Sequence, residues 1–320
     1  MLSFGLKARA KAPAKAHAPQ RATARRRLAG LAAALLALSL LPSSAFAAAR
    51  LYIQSGGLSR SAVVVQHERL KLRRRPLVII LHPTGGARGH RHLRFEELAE
   101  SSKPVFLYPE PVGGEWPVAA GAGADRDVKF LRDLIDRFIG EGVADPRKIY
   151  LIGESSGGVF AFRAACGGLG RPLAGLATLG AAMPTDLAAC LPSPMAFIAI
   201  DQLGDARAPV KGGPAKIGTQ TYDALPAEAT LSIFARSASC AGKREDRPLL
   251  ERDSHGAPHA RGTILSYAGC KPPVEIVQVE AAGAHAGPHK LERPAASASG
   301  GGHGFDAARK VWDFLRRNGA

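Results

Sequence analysis

The pentapeptide Gly153-Glu154-Ser155-Ser156-Gly157 sets a serine between two glycines, each two positions away. The apolar run Ile149-Tyr150-Leu151-Ile152 precedes it, and Gly157-Gly158-Val159-Phe160-Ala161-Phe162 follows. This reads as a strand, a sharp turn and a helix. Such a turn lifts the serine hydroxyl clear of the backbone, and the glycines let neighbouring chain come close. The helix start adds N–H groups that favour developing negative charge. Ser155 is therefore the candidate nucleophile for attack on a carbonyl carbon.

A serine hydroxyl is a weak nucleophile near neutral pH. It needs a base, and the base needs a carboxylate to orient it. In sites of this kind the chain order is serine, acid, histidine. Asp201 and Asp205 both follow the apolar run Met195–Ile200, and Asp205, one short loop further on, is the preferred acid. His285, His289 and His303 follow the last apolar run, Val274–Val279. His285 is the preferred base and His303 the alternative, whereas His255 and His259 precede that run and fit less well. The oxyanion of acyl transfer needs two N–H donors. One is assigned to Ser156. The other falls in the loop after Pro76–Leu81, where Pro83 has no N–H to give. That leaves Thr84, with Gly85 behind it.

The elements that must hold these residues are short apolar runs alternating with helical patterns. Leu51–Gln54, Ala62–His67, Pro76–Leu81, Val105–Tyr108, Lys148–Ile152, Leu173–Leu179, Met195–Ile200 and Val274–Val279 read as strands. Helices are expected near His92–Ser101, over Asp125–Gly140, over 156–166, from Pro226 to about Ser239, and over Phe305–Arg317. In Asp125–Gly140 the apolar residues Val128, Leu131, Leu134, Ile135, Phe138 and Ile139 share one face. Alternation of this kind predicts an α/β fold with a mostly parallel sheet covered by helices on both faces. Residues 241–263 and 286–304 read as irregular, the first charged and turn-rich, the second rich in Ala, Ser and Gly.

The start of the chain reads as an export signal. Residues 1–27 carry eight basic residues and no acidic one, residues 28–42 are apolar, and Ser43-Ser44-Ala45-Phe46-Ala47 offers a small-residue cleavage site. The expectation is a signal peptide over 1–49, a single catalytic domain over 50–320, and a secreted or periplasmic location. The apolar run is shorter than the roughly 20 residues of a membrane span, so stable membrane insertion is not expected once the leader is removed. Losing the leader also lowers the formal charge of +16 to about +8. No basic stripe interleaved with aromatics remains, which argues against nucleic-acid binding. Cys166, Cys190, Cys240 and Cys270 make an even count in an exported chain, which suggests disulfides. Three connectivities are open. The sequential one, Cys166–Cys190 and Cys240–Cys270, is favoured because both loops are short, each stabilising by about 3 kcal/mol. No C-x-x-C spacing supports a metal site.

In order and spacing, the chain resembles the secreted poly(3-hydroxybutyrate) depolymerase and feruloyl/acetylxylan esterase group of α/β-hydrolases. The resemblance runs from about Arg50 to Leu315. It rests on Leu81-His82 with Gly85-Gly86, Tyr108-Pro109 with Trp116, Asp127-Val128 through Asp136, Asp145-Pro146-Arg147-Lys148-Ile149-Tyr150 and the Ser155 pentapeptide. Gly204-Asp205, Pro209, Gly212-Gly213, Gly283-Ala284-His285 and Phe305-Asp306-Ala307 through Leu315 continue it. The resemblance implies an α/β-hydrolase fold, a Ser155–Asp205–His285 triad, the two cysteine pairs above, an ester substrate, small or polymeric, and no cofactor. The chain departs from the group at Pro83, where a glycine is usual, at Asp201, where a histidine is usual, and at Ala286-Gly287-Pro288, where a Trp-Pro pair is usual. An acyltransferase or peptidase on the same fold, or a binding protein without turnover, is the alternative. A monomer or weak oligomer is expected.

Overall fold

A computed structural model describes residues 46–67, 74–84, 95–99, 103–252, 258–280 and 305–319. The elements run β1 (Phe46–Ser55), β2 (Leu58–His67), β3 (Arg75–Leu81), α1 (Phe95–Leu98), β4 (Val105–Pro109), α2 (Ala122–Gly140), β5 (Ala144–Glu154) and α3 (Ser156–Cys166). After them come β6 (Gly175–Leu179), β7 (Ala196–Gln202), β8 (Gly213–Ile217), β9 (Gln220–Ala224), α4 (Ala227–Ser237), β10 (Arg244–Arg252), β11 (Pro258–Tyr267), β12 (Val274–Val279) and α5 (Ala307–Asn318).

The main sheet has the order β1-β2-β4-β3-β5-β6-β7-β12-β11-β10. Its centre, from β4 to β12, is parallel, and both flanks are antiparallel. The centre is made by strands that are apolar on both faces. In β3, residues Leu77 to Leu81 are all buried, with Leu77, Ile79 and Leu81 in one core and Val78 and Ile80 in the other. Only a strand covered on both sides buries every side chain. The first core is closed by α2, α3 and α4 through residues such as Phe130, Phe160 and Phe234. The second is closed by α1 and α5 through Phe95, Val311, Trp312 and Leu315. A parallel centre with strands crossed in the order 4-3-5-6-7, two helix layers, and a serine turn after the middle strand define the α/β-hydrolase fold.

The expected elements are present, with shifted ends. β5 starts at Ala144 rather than Lys148, and α2 at Ala122 rather than Asp125. The helix expected near His92–Ser101 is described only as α1, and the segment 286–304 lies outside the described residues. Two expectations are corrected. Much of 241–263 is not irregular: β10 and β11 form an antiparallel hairpin that extends the sheet beyond β12. Its charges belong to an outermost strand with solvent on one side, and Pro248 is tolerated there because an edge residue needs no ladder N–H. Ala260, Ile264 and Leu265 of β11 are buried. The second correction is the hairpin β8–β9, where Gly213 to Ala224 carried no strand expectation. The residues expected to end the leader, Phe46 to Ala49, lie in β1 and pair with Val64 to His67 of β2.

Candidate active site

Ser155 joins the end of β5 to the start of α3 with φ 52° and ψ −118°. Left-handed backbone is costly for a residue with a side chain, on the order of 1–3 kcal/mol, and persists only when the surroundings enforce it. Here they do. The Ser155 N–H donates to Leu179 O at 2.9 Å on β6, and Ser155 O accepts from Gly158 and Val159 at 2.9 and 3.0 Å. A Cβ at Gly153 would strike the Gly157 carbonyl, and one at Gly157 would strike the Leu81 carbonyl and lie 2.6 Å from His82 O. The two glycines of the pentapeptide are thus the places where β5, α3 and the end of β3 touch. Ser155 is 6% exposed, and Ser156, the first residue of α3, is fully buried.

The same contact brings the loop after β3 alongside the elbow. His82 is buried, its Nδ1–H donates to Pro83 O at 2.9 Å, and its ring lies 5.8 Å from that of Trp116. Trp116 stacks on Phe160 of α3 with ring centroids 4.9 Å apart. Thr84, two residues beyond His82, packs against Gly218 in the β8–β9 turn. Gly85 lies outside the described residues.

Both expected acids stand at the carboxyl end of β7. Asp201 pairs in register with Gln278 of β12. It is buried, and its Oδ1 has no hydrogen-bond partner among the described residues. It lines a small cavity with Phe162, Ala199, Ala208, Thr230 and Ile276. Burial, with the Asp205 charge added, pushes its carboxyl up to about 7. Asp205 follows a turn fixed by Leu203 N–H to Val279 O (2.9 Å) and Asp205 N–H to Gln202 O (3.2 Å). Its carboxylate is held by Arg207. The backbone N–H and Nε–H of Arg207 donate to Oδ1 at 3.0 and 3.1 Å, and Nη2–H donates to Oδ2 at 3.1 Å. The Tyr222 hydroxyl donates to Arg207 O at 3.1 Å. Burial pushes that phenol up from its ordinary range, and the charges of Asp201 and Asp205 add to the effect.

His285, His289, His303 and His255 lie outside the described residues, and of His259 only the backbone, in β11, is described. Of the expected site residues, Ser155, Ser156, Thr84, Asp201 and Asp205 are thus described, and the candidate bases' side chains lie outside the described residues. Arg207 and Tyr222 had no sequence signal of their own. An arginine two residues after an aspartate is commonplace, and Tyr222 sits in a hairpin that carried no strand expectation.

Disulfides join Cys166 to Cys190 and Cys240 to Cys270. The first ties the end of α3, the serine helix, to the segment before β7. The second ties the end of α4 to the turn between β11 and β12. Among the described residues, no helix is long and apolar enough to cross a membrane.

No family model matches the chain. It is 29% identical over 228 residues to "Putative esterase NocK" from Nocardia uniformis subsp. tsuyamanensis, a match covering 67% of this chain and 65% of that protein. Among solved structures it is similar to the feruloyl esterase module from Clostridium thermocellum, with TM-score 0.42 and 12% identity over 50% of this chain and 68% of that one. It is also similar to a thermostable esterase from Pseudomonas putida ECU1011, with TM-score 0.39 and 17% identity over 56% and 70%. Likeness at this level adds nothing to the argument from topology, which carries the fold alone.

Proposed function

We propose that the chain is a carboxylic ester hydrolase acting through a Ser155–His285–Asp205 triad. The observation that carries this is the conformation of Ser155. A strained, non-glycine residue is fixed by backbone contacts from three strands at the middle of the sheet, where a serine nucleophile of this fold belongs. The relative with the esterase name supports the reaction class.

In the proposed reaction the Ser155 hydroxyl attacks the ester carbonyl while His285 takes its proton. The N–H groups of Thr84 and Ser156 stabilise the oxyanion, and the start of α3 adds its dipole. His285 then protonates the leaving alcohol. Water, deprotonated by the same imidazole, releases the acid. Asp205 orients the imidazole and stabilises its positive charge. The steps draw on no metal or organic cofactor. Export to an oxidising compartment suits the two disulfides.

A second reading, a protein that keeps the fold without turnover, is favoured by one observation: both oxygens of Asp205 are taken up by Arg207. Hydrolysis of p-nitrophenyl esters of graded chain length, with poly(3-hydroxybutyrate) and feruloyl and acetyl xylan esters alongside, separates the two. Turnover by the wild type that vanishes in Ser155→Ala supports the hydrolase. Activity surviving in Ser155→Ala overturns the nucleophile, and no activity on any ester favours the second reading. Loss of activity in His285→Ala but not in His303→Ala assigns the base.

A further inference from the structure

Glu115 is a carboxylate set against the loop that, in the reading above, binds the oxyanion. Its backbone is fixed from two sides. Trp116, the next residue, is fully buried against Phe160 of the serine helix. The Gln220 side chain then clamps the segment, its Nε2–H donating to Trp116 O at 2.9 Å and its Oε1 accepting from Val118 N–H at 3.0 Å. The carboxylate itself is located by the tip of the β8–β9 hairpin. Gly218 has φ +60°, and a Cβ there would lie 2.5 Å from Glu115 Oε1 and 2.8 Å from Thr84 Cγ2. One glycine thus has the Glu115 carboxylate and the Thr84 side chain against it. Among the described residues no cation pairs with Glu115. The Thr84 hydroxyl is likewise buried with no hydrogen-bond partner among them.

A fixed negative charge beside an oxyanion loop opposes the charge that develops there, and the opposition is strong where water is thinned out. A positive charge on the substrate removes it. An ammonium carries three donors and no acceptor, and the Glu115 carboxylate and Thr84 Oγ1 are two acceptors that both border Gly218. We infer that Glu115 and Thr84 form a subsite for a positively charged amine carried close to the scissile carbonyl, so that the preferred substrates are amino-substituted esters. The inference rests on the ester-hydrolase reading for the position of the scissile bond.

The test compares ethyl 3-aminopropanoate with ethyl butanoate, which has a methyl group in place of the ammonium. Wild type is expected to favour the ammonium ester in kcat/KM by about tenfold at low salt, less at high salt. In Glu115→Gln the preference should fall to near unity, chiefly through KM, and turnover of the neutral ester should rise. Glu115→Asp, which keeps the charge, should keep part of the preference. An unchanged ratio in Glu115→Gln overturns the subsite, as does a preference lost as completely in Glu115→Asp. If no ester is hydrolysed, the catalytic reading fails, and calorimetric binding to Ser155→Ala still decides the subsite. Tighter binding of the ammonium ester, lost in Ser155→Ala/Glu115→Gln, supports it; equal binding of the two esters overturns it.

Discussion

The serine elbow and the acid corner sit at the carboxyl ends of nearby strands in one sheet, yet they are held in different ways. At the elbow everything is backbone. Gly153 and Gly157 meet carbonyls of α3 and β3, and main-chain hydrogen bonds fix Ser155. At the acid corner side chains decide. Asp205 is gripped by Arg207, Asp201 is buried with an oxygen left over, and Tyr222 closes on the Arg207 carbonyl. Backbone contact leaves little freedom, because a carbonyl cannot rotate away as a side chain can. The elbow is therefore rigid and intolerant of substitution, whereas the acid corner is adjustable and sensitive to charge.

The largest expected effect breaks the comparison on the acid side. Asp205→Asn should lower kcat by about 10⁴-fold, because an amide orients the imidazole in the wrong tautomer, while Asp201→Asn should leave most of the rate. Steady-state kinetics on a p-nitrophenyl ester check this, and the reverse pattern would move the acid to Asp201. The elbow should fail next. Gly157→Ala sets a methyl against the Leu81 and His82 carbonyls, which belong to the central strand and its end. The expected cost is about 4 kcal/mol, read as a fall in the urea midpoint together with lost activity. A substitution tolerated at wild-type stability would show that β3 and α3 can part, and the elbow would no longer count as rigid.

Burial makes the third effect depend on pH. The Asp201 carboxyl is raised to about 7 when folded, against 3.8 as its ordinary value. Between those values the folded chain keeps a proton that the unfolded chain loses, so stability falls as pH rises, and the whole penalty is present above pH 7. The shift corresponds to about 4 kcal/mol at most. Asp201→Asn removes it. Relative to the variant, wild type should lose that stability between pH 4 and pH 8 in chemical denaturation. Parallel curves for the two proteins would mean that Asp201 is ionised at little cost.

What was legible in the sequence follows the same division. Backbone-determined features could be read: the apolar runs of β3, β5 and β7, the helical face of α2, and the glycine spacing around Ser155 all follow from sterics and burial within a few residues. The hairpins β8–β9 and β10–β11 could not. Arg244 to Arg252 is charged because it borders solvent, and its pairing with β11 supplies the strand character that its composition hides. The partner of Asp205 was equally hidden, since nothing local distinguishes an arginine that turns back onto the carboxylate from one that points to water.

Arg207 offers the smallest effect and the sharpest sign. Its side chain is about one-third exposed and grips a carboxylate that is itself 6% exposed. If Asp205 is the triad acid, Arg207 holds it in the orientation the imidazole needs. Arg207→Ala should then lower kcat by about tenfold, with KM little changed, because only a positioning contact is lost and the backbone N–H of residue 207 still holds Oδ1. If Arg207 instead occupies Asp205 at the expense of catalysis, the same substitution frees the carboxylate and turnover rises. The direction of one rate therefore tells whether the adjustable corner of the molecule is set for catalysis or against it.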